Sequence, residues 1–133
     1  EKFKQSLTAN KKRIKTMPLK EKYLFIVSMD VSPEKEDLFN EVYDNEHVPY
    51  LSEVPGVFAI SRYTKEPVKI SLGGEIKTIE MEDEPKYTAI YEVAGPEVMS
   101  SDAWAEAGEK GRWGPEVRPH TFNRRHVLRK VIQ

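Results

Sequence analysis

The run Phe39-Asn40-Glu41-Val42-Tyr43-Asp44-Asn45-Glu46-His47-Val48-Pro49-Tyr50 places one imidazole among three aromatic rings. On a helix Phe39, Tyr43 and His47 are four apart and Tyr50 is three further on, so all four fall on one face. Histidine is the side chain whose unperturbed pKa lies near neutrality. A partly desolvated imidazole in such a stripe can therefore take up or release a proton at cellular pH. The same spacing also describes a histidine packed in an ordinary core or capping the helix, with no chemistry attached.

Other chemistries have less to stand on. The three histidines, His47, His120 and His126, never occur at i, i+4 spacing around an acid, so no zinc motif of that type is present. The chain has no cysteine, which excludes disulfides, thiolate nucleophiles and cysteine metal sites together. No glycine-rich phosphate loop precedes a helix: Gly73-Gly74 falls in a predicted hairpin, and Gly108, Gly111 and Gly114 follow a helix. No metal and no cofactor is expected.

The elements that must position His47 are legible on either side of it. Tyr23 to Val31 is β-branched and aromatic and reads as a buried strand. Ser32-Pro33-Glu34 then opens a helix, with serine as N-cap, proline at the first position and acids in the first turn. That helix is expected to run to about His47, where Pro49 disfavours continuation. Pro55-Gly56 makes a turn into a second strand, Val57 to Thr64. Between Lys65 and Pro85, apolar and polar residues alternate on both sides of Gly73-Gly74, the signature of an inserted hairpin over about 66–85. A third core strand follows at Tyr87 to Val93. A helical stretch from about Val98 to Lys110 ends at Gly111, residues 111–115 form a loop, and Phe122 to Ile132 reads as the last strand. This is the ferredoxin-like α+β order, βαββαβ with an antiparallel sheet and a hairpin insertion.

The 133 residues suit one domain with one core. A formal charge of −1 gives no global drive toward nucleic acid or an anionic membrane, and neither partner is expected. No apolar run approaches a membrane span and residues 1–22 lack the hydrophobic centre of a signal peptide, so a cytoplasmic protein is the default expectation. Charge is unevenly spread, with a balance of +6 over residues 1–22 and −6 over residues 34–53. A basic N-terminal arm, residues 1–21, is thereby set off from a domain at 22–133. It either packs on the acidic helix or remains a solvated tail.

Four features together resemble the dimeric α+β barrel superfamily, and within it EthD-like and related small proteins. They are Tyr43-x-x-x-His47-x-Pro49 closing the first helix, Val54-Pro55-Gly56-Val57, Arg62-Tyr63, and Tyr87-Thr88-Ala89-Ile90-Tyr91-Glu92. The resemblance spans about residues 22–132. It implies a homodimer whose sheets face one another, with a cavity for a small hydrophobic metabolite between sheet and helices in each subunit. It further implies that His47 points into that cavity, as the aromatic stripe suggests independently. In related cyclases and isomerases a histidine removes a proton beside a carbonyl while a tyrosine hydroxyl steadies the enolate. His47 and Tyr43 are accordingly the candidate catalytic pair. Tyr50, Arg62, Tyr91, Trp104, Trp113 and His126 are candidate lining groups, since aromatic walls with few polar groups describe most small-ligand pockets.

The resulting expectation is an isomerase, cyclase or dehydratase (lyase) type of enzyme. A noncatalytic or stress-associated binding dimer would use the same pocket. Haem ligation by His47 or His126, as in a monooxygenase, is the weakest reading, because nothing around either residue singles it out.

Overall fold

The computed structural model describes residues 23–133. The basic segment and its +6 balance lie outside the described residues.

Strand β1 (Tyr23–Val31) and strand β5 (Tyr87–Val93) pair antiparallel at the centre of a four-stranded sheet of order β2-β5-β1-β6. Strand β2 (Val57–Thr64) lies outside β5, and strand β6 (Thr121–Lys130) lies outside β1, both antiparallel to their neighbours. Without the insertion this is the ferredoxin-like order, with two crossovers carried by helices on one face. Alternation decides the faces: Val27, Met29, Val31, Ala89, Tyr91 and Val93 are buried under the helices. The intervening Leu24, Ile26, Thr88 and Ile90 point the opposite way and are only part-covered.

The insertion is a separate hairpin of β3 (Val68–Leu72) and β4 (Glu75–Ile79). Its turn residues Gly73 and Gly74 have φ of 60° and 84°. Positive φ at both central positions is what a tight two-residue turn of matching twist requires. The hairpin's foot is tied to the body by Lys65 Nζ donating to Met81 O at 2.9 Å and Glu84 O at 2.8 Å, and by an Arg125–Glu84 ion pair at 2.6 Å.

The first helical segment differs from the sequence expectation in length and in kind. A 3₁₀ turn at Pro33–Lys35 leads into α1 (Glu36–Val42), a π turn at Tyr43–His47, and α2 (Val48–Ser52). The helix thus continues through Pro49 rather than stopping at His47. In the π turn the Val48 amide bonds to Tyr43 O, five residues back. Widening of the ladder just ahead of Pro49 accommodates a ring that would collide with a regular α-helical turn. Ser32 makes no side-chain cap; its amide and hydroxyl instead donate to His120 O, pinning the helix start to the segment before β6.

The second crossover is broken as well. A 3₁₀ turn at Pro96–Ser100 gives way to α3 (Asp102–Gly108), because Ser101 is extended and its hydroxyl accepts from the Trp104 amide at 3.2 Å. Residues 111–115 do not stay a loop: a second π turn occupies Trp113–Val117, followed by a 3₁₀ turn at Arg118–His120. The core between sheet and helices gathers Phe39, Val42, Tyr43, Leu51, Val54, Trp113 and Val117 over the inward residues of β1 and β5. Each buried side chain of this size contributes about 1.5–3 kcal/mol. Among the described residues no helix is long and apolar enough to cross a membrane.

Candidate functional site

Under the helices lies a cavity of about 180 Å³, walled by Phe25, Val27 and Met29 of β1, Tyr43, His47 and Leu51 of the first helical segment, and Tyr91 of β5. Trp104, Ala105, Gly108 and Glu109 of the second crossover, Trp113 and Arg118 beyond it, and Arg124 and His126 of β6 complete the lining.

The π turn sets which helical residues reach this space. Because its bonding lengthens one turn, residues four apart superpose, and Tyr43, His47 and Leu51 come into register over the sheet. Tyr50, only three beyond His47, is carried round to a different groove with Glu53, Val54 and Lys110. The expectation that Tyr50 lines the pocket is thereby corrected. Arg62 also stays outside. It reaches the far side of the Tyr43 ring, 4.5 Å from its centroid, where it pairs with Asp44 at 2.7 Å and donates to Asn40 Oδ1 at 2.8 Å. Tyr43, His47, Tyr91, Trp104, Trp113 and His126 are the sequence-predicted residues that the fold brings to one cavity.

His47 is buried at 7 % exposure and stacks on Trp113, ring centroids 4.3 Å apart and 20° from parallel. Tyr43 meets the same imidazole edge-on at 5.1 Å. The stacking is enforced from behind by the residues next in sequence. Glu46 Oε1 accepts from the Arg112 amide at 2.9 Å and Glu46 Oε2 from Arg112 Nε at 2.7 Å. This clamp joins the neighbour of His47 to the neighbour of Trp113. Burial first, then the Arg118 charge, pulls the His47 pKa down to about 4, so the ring is neutral at physiological pH. Its Nδ1 is buried with no hydrogen-bond partner among the described residues. An unmet buried polar atom costs about 1–3 kcal/mol and asks for a reason.

Two phenols stand in the same wall. Tyr43 Oη and Tyr91 Oη share a hydrogen bond of 3.2 Å in the buried interior. Burial raises both pKa values, Tyr91 the more strongly, so both hydroxyls remain protonated donors. Trp104 closes on Tyr91 at 5.3 Å and on Phe25 at 5.8 Å, both in tilted or edge contacts. His126, at the more open side, faces Phe25 at 6.1 Å; burial and then the Arg124 charge lower its pKa. The arrangement supplies a neutral proton acceptor, a hydrogen-bonded phenol pair with one hydroxyl proton to spare, and flat aromatic walls.

Two arginines of the lining, Arg118 and Arg124, were not singled out from the sequence. Arg118 is neutralised by a two-pronged contact with Glu109, at 3.1 and 2.8 Å. Arg124 sits where β6 departs from regular pairing. Asp30 opposes Phe122 and Ser28 opposes Arg125, so Asn123 and Arg124 together face the single residue Met29. Asn123 takes φ of 52°, a left-handed conformation that asparagine tolerates better than most residues. Among the described residues no group of three or more histidines and carboxylates could hold a metal ion.

An antiparallel sheet under broken crossover helices, with an aromatic-walled cavity between the layers, defines a ferredoxin-like α+β protein with a candidate small-molecule site. The crystal structure of a mutant of SnoaB, a cofactor-independent oxygenase from Streptomyces nogalater, is similar to this chain. The match has a TM-score of 0.52 at 12 % identity and covers 86 % of this chain and 96 % of that one. The likeness shows the fold, the α+β barrel type of ferredoxin-like arrangement. No protein-family model matches the chain, and no curated protein does.

Proposed function

We propose that the protein is a small-molecule enzyme that works by proton transfer without a cofactor, on a hydrophobic metabolite bearing a carbonyl group. The observation that carries this reading is His47: neutral, buried, with an Nδ1 that has no partner among the described residues, beside two buried phenol hydroxyls in an aromatic cavity. A neutral imidazole can accept the proton from carbon next to a carbonyl, leaving the electron pair on the carbonyl oxygen as an enolate. Of the hydrogen-bonded pair Tyr43 and Tyr91, the hydroxyl that does not donate to its partner keeps a proton with which to hydrogen-bond such an oxyanion. Return of the proton to another carbon gives an isomer, and attack of the enolate on an internal carbonyl gives a ring. That SnoaB is a cofactor-independent oxygenase adds support for chemistry without a cofactor on this fold. Within the fold, the Tyr43-x-x-x-His47-x-Pro49 run favours an EthD-like or related small protein.

The test is exchange of the acidic C–H protons of aryl ketones such as 2-tetralone in D₂O, followed by NMR. Acceleration by the protein, reduced at least about tenfold in His47→Gln and in Tyr43→Phe, is the expected result, each tenfold representing about 1.4 kcal/mol of barrier. Binding of the ketones with no acceleration would move the assignment to a noncatalytic binding protein. That second reading has its own support in the low basicity of the His47 ring. Oxygen uptake measured alongside separates an oxygenase from an isomerase or cyclase.

The partly covered outer face of the sheet, with Leu24, Ile26, Ile90 and Val127, supports assembly as a homodimer through that face.

A further inference from the structure

We infer that the natural ligand of the His47 cavity carries a carboxylate and that Arg124 is the group that holds it; this rests on the reading of that cavity as a small-molecule site. The first support is an inventory of the arginines. Arg62 pairs with Asp44, Arg112 with Glu46, Arg118 with Glu109 and Arg125 with Glu84, at 2.6 to 2.8 Å. Among the described residues Arg124 and Arg129 pair with no carboxylate, and of these two only Arg124 lines the cavity. Its side chain donates only to the neutral Thr121 Oγ1, at 3.2 Å. Arg124 is solvent-exposed, so water serves its remaining N–H groups, and a ligand carboxylate is the group that matches both their fork geometry and their charge.

The second support is the backbone. The bulge opposite Met29 and the left-handed Asn123 set the position of Arg124 in β6, and bulges of this kind re-aim a side chain beside a site. The third is electrostatic: the Arg124 charge is a lesser contributor, after burial, to the downward shifts of His47 and His126, so it lies within Coulombic reach of both imidazoles. A carboxylate seated on Arg124 offsets that field. Binding of the acid would thus raise the His47 pKa by the small part that Arg124 contributes, burial being the larger cause, which a neutral analogue would not do.

Isothermal titration with trans-cinnamate and its neutral amide tests the inference. The carboxylate is expected to bind at least about tenfold more tightly than the amide to the wild type, as a charge-assisted pair allows. In Arg124→Gln the preference should fall below about threefold with the affinity for the amide unchanged, while Arg124→Lys keeps part of it. Carbon-13 NMR of the His47 ring should show its pKa rising on saturation with cinnamate and not with the amide. Equal binding of acid and amide to the wild type, or a preference that survives in Arg124→Gln, overturns the inference and leaves the pocket standing. Failure of both compounds to bind counts against the pocket itself, and the inference falls with it.

Discussion

His47 couples the chemistry of the cavity to the stability of the fold. Its pKa in the folded chain is about 4, against 6.5 without burial, so between those values the unfolded chain binds more protons than the folded one. Stability therefore rises with pH through that window: it is complete above about 6.5 and is lost as pH falls toward 4. The shift corresponds to a loss on the order of 3 kcal/mol. His126, lowered in the same direction, adds to the slope. Thermal unfolding followed across this range should show a smaller dependence in His47→Gln than in wild type; parallel curves would mean the imidazole is already charged or already solvated. The tyrosine pair offers a second prediction at this scale. Tyr43→Phe or Tyr91→Phe each strands a buried hydroxyl, at about 1–3 kcal/mol. The double change, which removes both partners, should cost less than the sum of the two in urea unfolding.

At the scale of elements, the site depends on two π turns and one clamp. The strands could be read from sequence because β-branched and aromatic residues alternate with small or polar ones, and β1, β2 and β5 lie where that pattern puts them. The π turns at Tyr43–His47 and Trp113–Val117 could not, since a 3.6-residue period has no place for an extra residue. That is why the regular spacing puts Tyr50 on the stripe, where the structure has Leu51. Arg124 was hidden for a related reason: in sequence it belongs to a basic strand, and only the bulge at Asn123 distinguishes it. The Glu46–Arg112 clamp gives this scale its prediction. Gly111 has φ of 70°, and a Cβ there would stand 2.5 Å from Glu46 Oε1 and 3.1 Å from the Tyr50 ring. Gly111→Ala should cost about 1–2 kcal/mol from the backbone alone, and should loosen His47 from Trp113. Increased disorder of the His47 ring in NMR, with the sheet intact, is the expected observation.

For the molecule as a whole, the proposed dimer makes a simple demand on the outer face of the sheet. Ile26 lies opposite both Ile90 and Val127 in the pairing of β1 with its neighbours, so it occupies the middle of that face. Ile26→Glu should therefore yield a monomer in sedimentation velocity where the wild type sediments as a dimer, with little loss of secondary structure. A wild-type protein that is already monomeric at micromolar concentration would leave the face without the proposed partner. The chain's two tryptophans both stand in the cavity wall, and Trp113 lies flat against His47. Protonated imidazole quenches indole emission, so the protein carries its own optical gauge, and titrating that light with acid reports the charge state of His47 without any label.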